Sequence, residues 1–418
     1  MSTGRAVILI VLVAAAAAGL LALVSRTPAD VRLAEPPPGA GDPALGAHFS
    51  AELVARHGAY RGPAYLFFGL SVVLQVVILL LLARGPWSRF VNFLEGMPWG
   101  VLVVSAAAGA VLVAVVSLAS LPLSFVRGYS IEQAWGLSTQ SPGDWVSDQL
   151  RSLAVGGITG AVGAAVLIAV VRWQPRSWWL WGWAAFTLLS ALLTFVWPVL
   201  VAPLFNRFTP LEDRALAARI RTLARAADVS VGEVLVADAS RRSTAENAYV
   251  AGLAQTKRLV LYDTLLDSGS ERETLFVVAH ELGHEAEGHV LKNVALSSAG
   301  LFAGFALLAL LSAGERWWSW AHSSGPGDPR SLPLLLLYAT IVGVLTLPLQ
   351  SAISRAFERR ADAIALSLTH DPEAAVSSFR RLALSNLADL DPPPVVVGLL
   401  YTHPPTSERI RAALNAER

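Results

Sequence analysis

The chain has 418 residues, of which 54% are hydrophobic and only 15% charged, with a formal net charge of +1 and a mean hydropathy of +0.53. That balance excludes an ordinary soluble globular protein and offers no charge excess for a polyanionic partner, so no nucleic-acid partner is expected. The absence of cysteine excludes disulfides, thiolate metal ligands and a cysteine nucleophile.

Apolar runs long enough to cross a hydrocarbon core of about 30 Å occur near 6–24, 64–83, 99–126, 153–172, 178–203, 293–312 and 332–350. The expectation is a mainly α, polytopic protein with seven transmembrane helices, its surroundings a lipid bilayer. The first run follows only five residues, and a cleaved signal peptide is the competing reading. The run is longer than a usual signal core of about 7–15 residues. Residues 26–62, with Pro36, Pro37, Pro38 and Gly39, are read as an extended connection. Residues 204–291 form the first substantial polar segment. Thr209 to Glu212 has the pattern of a capping box with Pro210 at the first helical position, predicting a helix to about Ala227. Three β-rich runs follow, Glu233–Ala237, Asn247–Val250 and Arg258–Tyr262, suggesting a small sheet. Ser270 and Glu273 form a second capping box, opening a helix that runs toward the sixth span. The division expected is 1–203 for spans one to five, 204–291 for a small α+β subdomain, 292–350 for spans six and seven, and 351–418 for a mainly helical tail interrupted by Asp391 to Pro394.

The second capped helix carries His280, Glu281, Leu282, Gly283 and His284. Histidines four apart lie on one helical face and can share a metal ion, with a glutamate beside them as general base. By chance such a motif arises in on the order of one in a hundred chains with this histidine content. A catalytic zinc site generally takes three protein ligands and leaves one position for water. His289 lies on the opposite side of a continuous helix and cannot point at the same ion, and the longer metzincin spacing fails because Glu287 and Val290 stand where Gly and His are required. Glu358 is the better third ligand. Asp362, four residues on, would face the same way and accept the other ring N–H of a ligand histidine. If both halves form one site, an even number of spans must separate them, and the two at 293–312 and 332–350 satisfy that. About seven arginines flank the spans on the far side and about eleven on the side of the site, a weak positive-inside bias from which a cytoplasmic site is expected.

These stretches together resemble the type I CAAX prenyl proteases, membrane zinc metalloendopeptidases of gluzincin type. His280 to His284 matches the family's zinc motif, Ser354 to Asp362 its third-ligand motif, Tyr129 to Gln140 its loop after the third span and Pro198 to Leu211 the start of its soluble domain; His289 also falls where the family carries a histidine. The resemblance implies helices around an intramembrane chamber, one Zn2+ per chain, removal of a C-terminal tripeptide, and a peptide or protein substrate that is membrane-associated or lipid-modified. It also implies that Asn247, Ala248 and Tyr249 form the edge strand against which substrate lies, and that His403 and Arg409 approach the metal to stabilise the tetrahedral intermediate. Glu285 departs from the aromatic residue usual in eukaryotic members, and the short tail after Arg409 leaves no room for the usual retention signal. Composition points to a bacterial plasma membrane. Alternative readings are an HtpX-like quality-control protease, against which five spans before the zinc helix argue, and a receptor or scaffold with a vestigial site.

Overall fold

The computed structural model describes residues 43–252 and 257–416. The apolar run at 6–24 lies outside them. Among the described residues six helices are long and apolar enough to cross a membrane, matching the six remaining runs.

Helix α1, Ala51–Ala83, starts at Ser50, whose hydroxyl accepts the Leu53 N–H. It therefore begins thirteen residues before its apolar run, and a further helical turn covers Pro43–His48. The described part of 26–62 is thus largely helical, not extended: its polar residues form the foot of a membrane helix, which a hydropathy window cannot register. Helices α2, Val101–Phe125, and α3, Pro142–Trp173, pack closely where Gly109 meets Gly160, a contact between small residues of the kind that lets membrane helices approach. Helix α4, Trp178–Val196, leads into the soluble portion.

Strand β1, Phe208–Pro210, replaces the predicted helix start. Its residues pair antiparallel with β2, Glu233–Ala237, and helix α5, Arg214–Ala226, is capped instead by Asp213, whose carboxylate accepts the Ala215 and Leu216 N–H groups at 2.8 and 2.9 Å. Strand pairing outcompeted the Thr209 box, and aspartate is itself a strong N-cap. Strands β3, Ala248–Ala251, and β4, Arg258–Tyr262, complete a sheet of order β1-β2-β4-β3. β2 and β4 run parallel, and β3 is antiparallel to β4 at the sheet's edge.

The Ser270 capping box is present as expected and opens α6, Glu271–Ala286. Val278 and Leu282 of α6 join Leu216 and Ile220 of α5 and Leu259 and Leu261 of β4 in the core under the sheet. Helix α7, His289–Ser312, is the next membrane helix, and α8, Leu332–Thr369, continues well past its apolar run into the soluble portion. Helices α9, Pro372–Ser385, α10, Pro394–Leu400, and α11, Thr406–Asn415, follow. α6 and α8 cross tightly at Gly283: a Cβ there would sit 3.0 Å from the Ala361 carbonyl oxygen.

Candidate metal centre

Each of the two facing helices supplies one half of a compact donor set. His280 and His284, one turn apart on α6, bring their Nε2 atoms to 3.1 Å of each other. Across the crossing, Glu358 on α8 places Oε2 3.3 Å from His280 Nε2 and Oε1 3.3 Å from His284 Nε2. One ligand atom from each residue lies within 4.8 Å of the others, and His280 and Glu358 are buried. Two imidazoles and one carboxylate converging in this way suit a cation that accepts nitrogen and oxygen ligands. Burial alone would draw the His280 imidazole down, but hydrogen bonds to Asp362 and Glu358 outweigh it and hold the group at about 10. The carboxylates of Glu358 and Asp362 thus face the imidazole with negative charge, which a cation at the donor set would meet.

The supporting residues reach the ligands from several directions. Asp362 Oδ1 lies 2.8 Å from His280 Nδ1. The same carboxylate accepts a fork from Arg409 on α11, Nε to Oδ2 at 2.8 Å and Nη2 to Oδ1 at 2.6 Å. Arg409 also stacks over Phe379, 4.2 Å from the ring centroid. His403 Nδ1 stands 2.6 Å from Glu358 Oε2; the carboxylate can only accept, so this nitrogen carries the proton. His403 remains 61% exposed at its side chain, against 8% for Glu358, so it lies on the open side of the cluster. Glu281 is half-buried beside the ligands, and burial pushes its carboxyl up while the neighbouring imidazoles draw it back. A carboxyl moved toward neutrality is suited to taking and returning a proton.

The continuous helix assumed for His289 does not exist. Gly288 adopts φ 62°, ψ 36° and separates α6 from α7, a left-handed position that glycine occupies without steric cost. His289 begins the new helix, its Nδ1 2.9 Å from His284 Nδ1 and its ring stacked at 4.2 Å on Phe357. It touches a donor from behind, a contact that the glycine after Glu287 could have disclosed as a helix end. Glu285, the departure from the eukaryotic pattern, pairs with Lys257 at 2.6 Å. Asn247, Ala248 and Tyr249 lie at the start of the edge strand β3, and Ala248 shares the core under α6.

The chain matches the description "Peptidase family M48" over residues 210–417 and "CAAX prenyl protease N-terminal, five membrane helices" over 35–207. It is 34% identical to the metalloprotease YhfN of Bacillus subtilis, over 73% of this chain and 72% of that one. It is 31% identical to a CAAX prenyl protease 1 homolog of Arabidopsis thaliana, over 71% and 70% of the two chains. The CAAX prenyl protease 1 of Saccharomyces cerevisiae is 30% identical over 71% of this chain and 69% of that one. The crystal structure of S. mikatae Ste24p shares the fold, with a TM-score of 0.78 and 24% identity over 97% of this chain and 98% of that chain. Two family matches that together span residues 35–417, with relatives above 30% identity over two thirds of their lengths, establish that this chain belongs to peptidase family M48 as an integral-membrane metalloprotease.

Proposed function

We propose that the chain is a zinc-dependent endopeptidase that cleaves an extended, membrane-associated peptide segment, with its site on the cytoplasmic side of a bacterial plasma membrane. The observation that carries this reading is the convergence of His280, His284 and Glu358 within 4.8 Å, with Glu281 on the same helix. Those three residues would hold one zinc ion, which when bound lowers the pKa of water and polarises a peptide carbonyl. Glu281 takes the proton from the attacking water and returns it to the leaving amine. His403, with its ring on the open side of Glu358 and Nδ1–H committed to that carboxylate, donates through Nε2 to the oxyanion that develops at the scissile carbonyl when the ring carries both protons. Arg409 has two donors committed to Asp362, and its contribution is to hold that carboxylate against His280.

The edge position of β3 supports strand addition: Asn247, Ala248 and Tyr249 offer main-chain groups to an extended peptide, giving affinity without demanding one sequence. The named activity of the eukaryotic relatives, acting on prenylated CAAX proteins, makes a short C-terminal peptide next to a lipid anchor the first substrate to try. The test is metal content together with cleavage of a quenched fluorescent peptide by wild type and Glu281→Gln in detergent, with prenylated and unmodified peptides compared. Zinc in both proteins and cleavage by wild type alone is the expected result. Normal cleavage by Glu281→Gln would overturn the assignment of the base, and an absence of zinc from both would overturn the metal.

A further inference from the structure

The foot of α1 carries four polar side chains that the chemistry above does not use: His57, Tyr60, Arg61 and Tyr65. Their spacings of three and four residues put them along one side of the helix, and His57 and Tyr60 are only 2% and 3% exposed. Three of them grip one short loop. His57 Nδ1 donates to the Ala388 carbonyl at 2.7 Å, Arg61 donates through Nε to Leu387 O at 2.7 Å and through Nη2 to Asn386 O at 2.9 Å, and the Tyr65 hydroxyl donates to Asp389 Oδ2 at 2.8 Å. Leu387 is held at φ 43° with its side chain buried among the membrane helices. A leucine keeps that left-handed conformation only where its surroundings fix it.

From this loop the linkage divides. Asn386 closes a two-bond clamp on the backbone of Glu246, accepting its N–H at 3.0 Å and donating to its carbonyl at 3.2 Å. Glu246 immediately precedes Asn247, so the clamp sets where β3 begins. The same approach to β3 is held from its other side by the loop after α2: Thr244 N–H donates to Leu137 O at 2.9 Å and Thr139 N–H to Arg242 O at 3.1 Å. That loop is also tied to α1, because Tyr60 donates to Glu132 Oε1 at 2.6 Å. The second branch runs through Tyr65, whose hydroxyl lies 3.2 Å from that of Tyr401. The Tyr401 carbonyl in turn accepts from Arg355 on α8 at 2.7 Å, two residues before His403.

We infer that the foot of α1 is the positioning element of the peptide site. Through Asn386 it fixes the edge strand, and through Tyr65 and Tyr401 it fixes His403 over Glu358, so a membrane helix sets the spacing between bound peptide and reacting centre. Asn386 and Tyr65 are positioning residues; neither touches the donor set. This rests on the reading of β3 as the peptide strand and of His403 as the oxyanion partner; the loop keeps its three bonds from His57 and Arg61 when the Tyr65 hydroxyl is lost, so the two branches act on different quantities.

The test uses the full-length protein in detergent. Binding of a fluorescent peptide is measured by anisotropy in a Glu281→Gln background, and cleavage and metal content are measured in otherwise wild-type protein. Losing the two clamp bonds in Asn386→Ala should weaken peptide binding about tenfold with metal content unchanged. Tyr65→Phe should leave binding within about twofold and lower kcat about tenfold. A peptide N-methylated on its backbone beside the scissile bond separates the two layers of the argument. If it binds the parent as tightly as the unmethylated peptide, the strand reading itself fails. If it binds at least tenfold more weakly while Asn386→Ala binds normally, strand addition stands and the positioning role of the clamp is overturned. Should Asn386→Ala not fold, Asn386→Asp keeps the acceptor for the Glu246 N–H, and an unchanged affinity there with unchanged kcat in Tyr65→Phe is the overturning result.

Discussion

The metal centre and the edge strand β3 sit beside each other but are built by opposite means. The donor set is held by contacts between side chains, and the residues come from one helix crossing with Arg409 and His403 added from the tail: His280 against Glu358 and Asp362, Asp362 against Arg409. The approach to β3 is fixed through its backbone, by Leu137, Thr139 and Asn386 from segments more than a hundred residues away in sequence. Chemistry is thus assigned to side chains that helical periodicity brings together, and peptide geometry to main chain that only long-range packing can place. If this division is real, substitutions at the centre should change turnover or metal while sparing peptide affinity.

The largest separation is expected for Glu281→Gln. Removing the proton acceptor should lower kcat between about 10²- and 10⁴-fold while metal content and the binding of uncleaved peptide stay as in wild type. A parallel loss of peptide affinity, measured by anisotropy, would show that the two regions are not separable. Asp362→Asn comes next. It leaves the shape but removes the charge that meets both His280 and Arg409, and outer contacts of this kind typically cost about 10–100-fold in metal affinity or activity when lost. Competition with a chelator reads that directly, and KM at saturating zinc should not move.

The same division explains what could be read from the sequence. Helical spacing makes His280, Glu281 and His284 visible as a unit, and Glu358 with Asp362 as another, because residues four apart share a face whatever the tertiary structure does. The polar foot of α1 carries no hydropathy signal, because hydropathy marks where a helix is apolar and not where it starts, so His57 to Arg61 read as connection. Phe208–Pro210 reads as a helix start because Thr209 and Glu212 fit a local rule that pairing with β2 overrides. For His289 the unbroken helix is the premise that fails, at Gly288, while the donor set remains His280, His284 and Glu358 without it. Asn386 carries no local signal at all: its meaning lies in Glu246, 140 residues earlier.

A substitution that should cross the division is Gly283→Ala. The new methyl would meet the Ala361 carbonyl oxygen at 3.0 Å and its Cα at 3.1 Å, and backbone atoms of a packed helix cannot swing aside. Helix α6 must move away from α8, separating His280 and His284 from Glu358, and it carries the core under Ala248 with it. Overpacking of this kind costs about 1–3 kcal/mol. Both faster loss of metal to chelator and a raised KM are expected from this one methyl, with a lowered denaturation midpoint in detergent. A change in only one of the two would mean that α6 does not couple the regions.

The smallest effect belongs to the far end of the same helix, where Arg272 in the first turn of α6 forks onto Asp371, Nε to Oδ2 at 2.7 Å and Nη2 to Oδ1 at 2.6 Å. The Arg272 guanidinium, together with the Ala374 N–H that Asp371 also caps, holds the Asp371 carboxyl below its usual range. A carboxyl whose folded pKa is depressed contributes stability above its unfolded value, about 3.9, and loses it as pH falls through the folded pKa. Asn at this position keeps the cap, since asparagine caps helices as well as aspartate does, and removes only the pairing. With the arginine side chain 63% exposed, the pair is worth about 0.2–1 kcal/mol. Asp371→Asn should therefore lower the denaturation midpoint slightly at neutral pH, match wild type more closely once the pH falls below the depressed folded pKa, and leave both metal affinity and KM untouched. An effect on either would mean that strain at the start of α6 reaches His280, more than two helical turns away, and that the metal centre depends on its helix as a rigid whole.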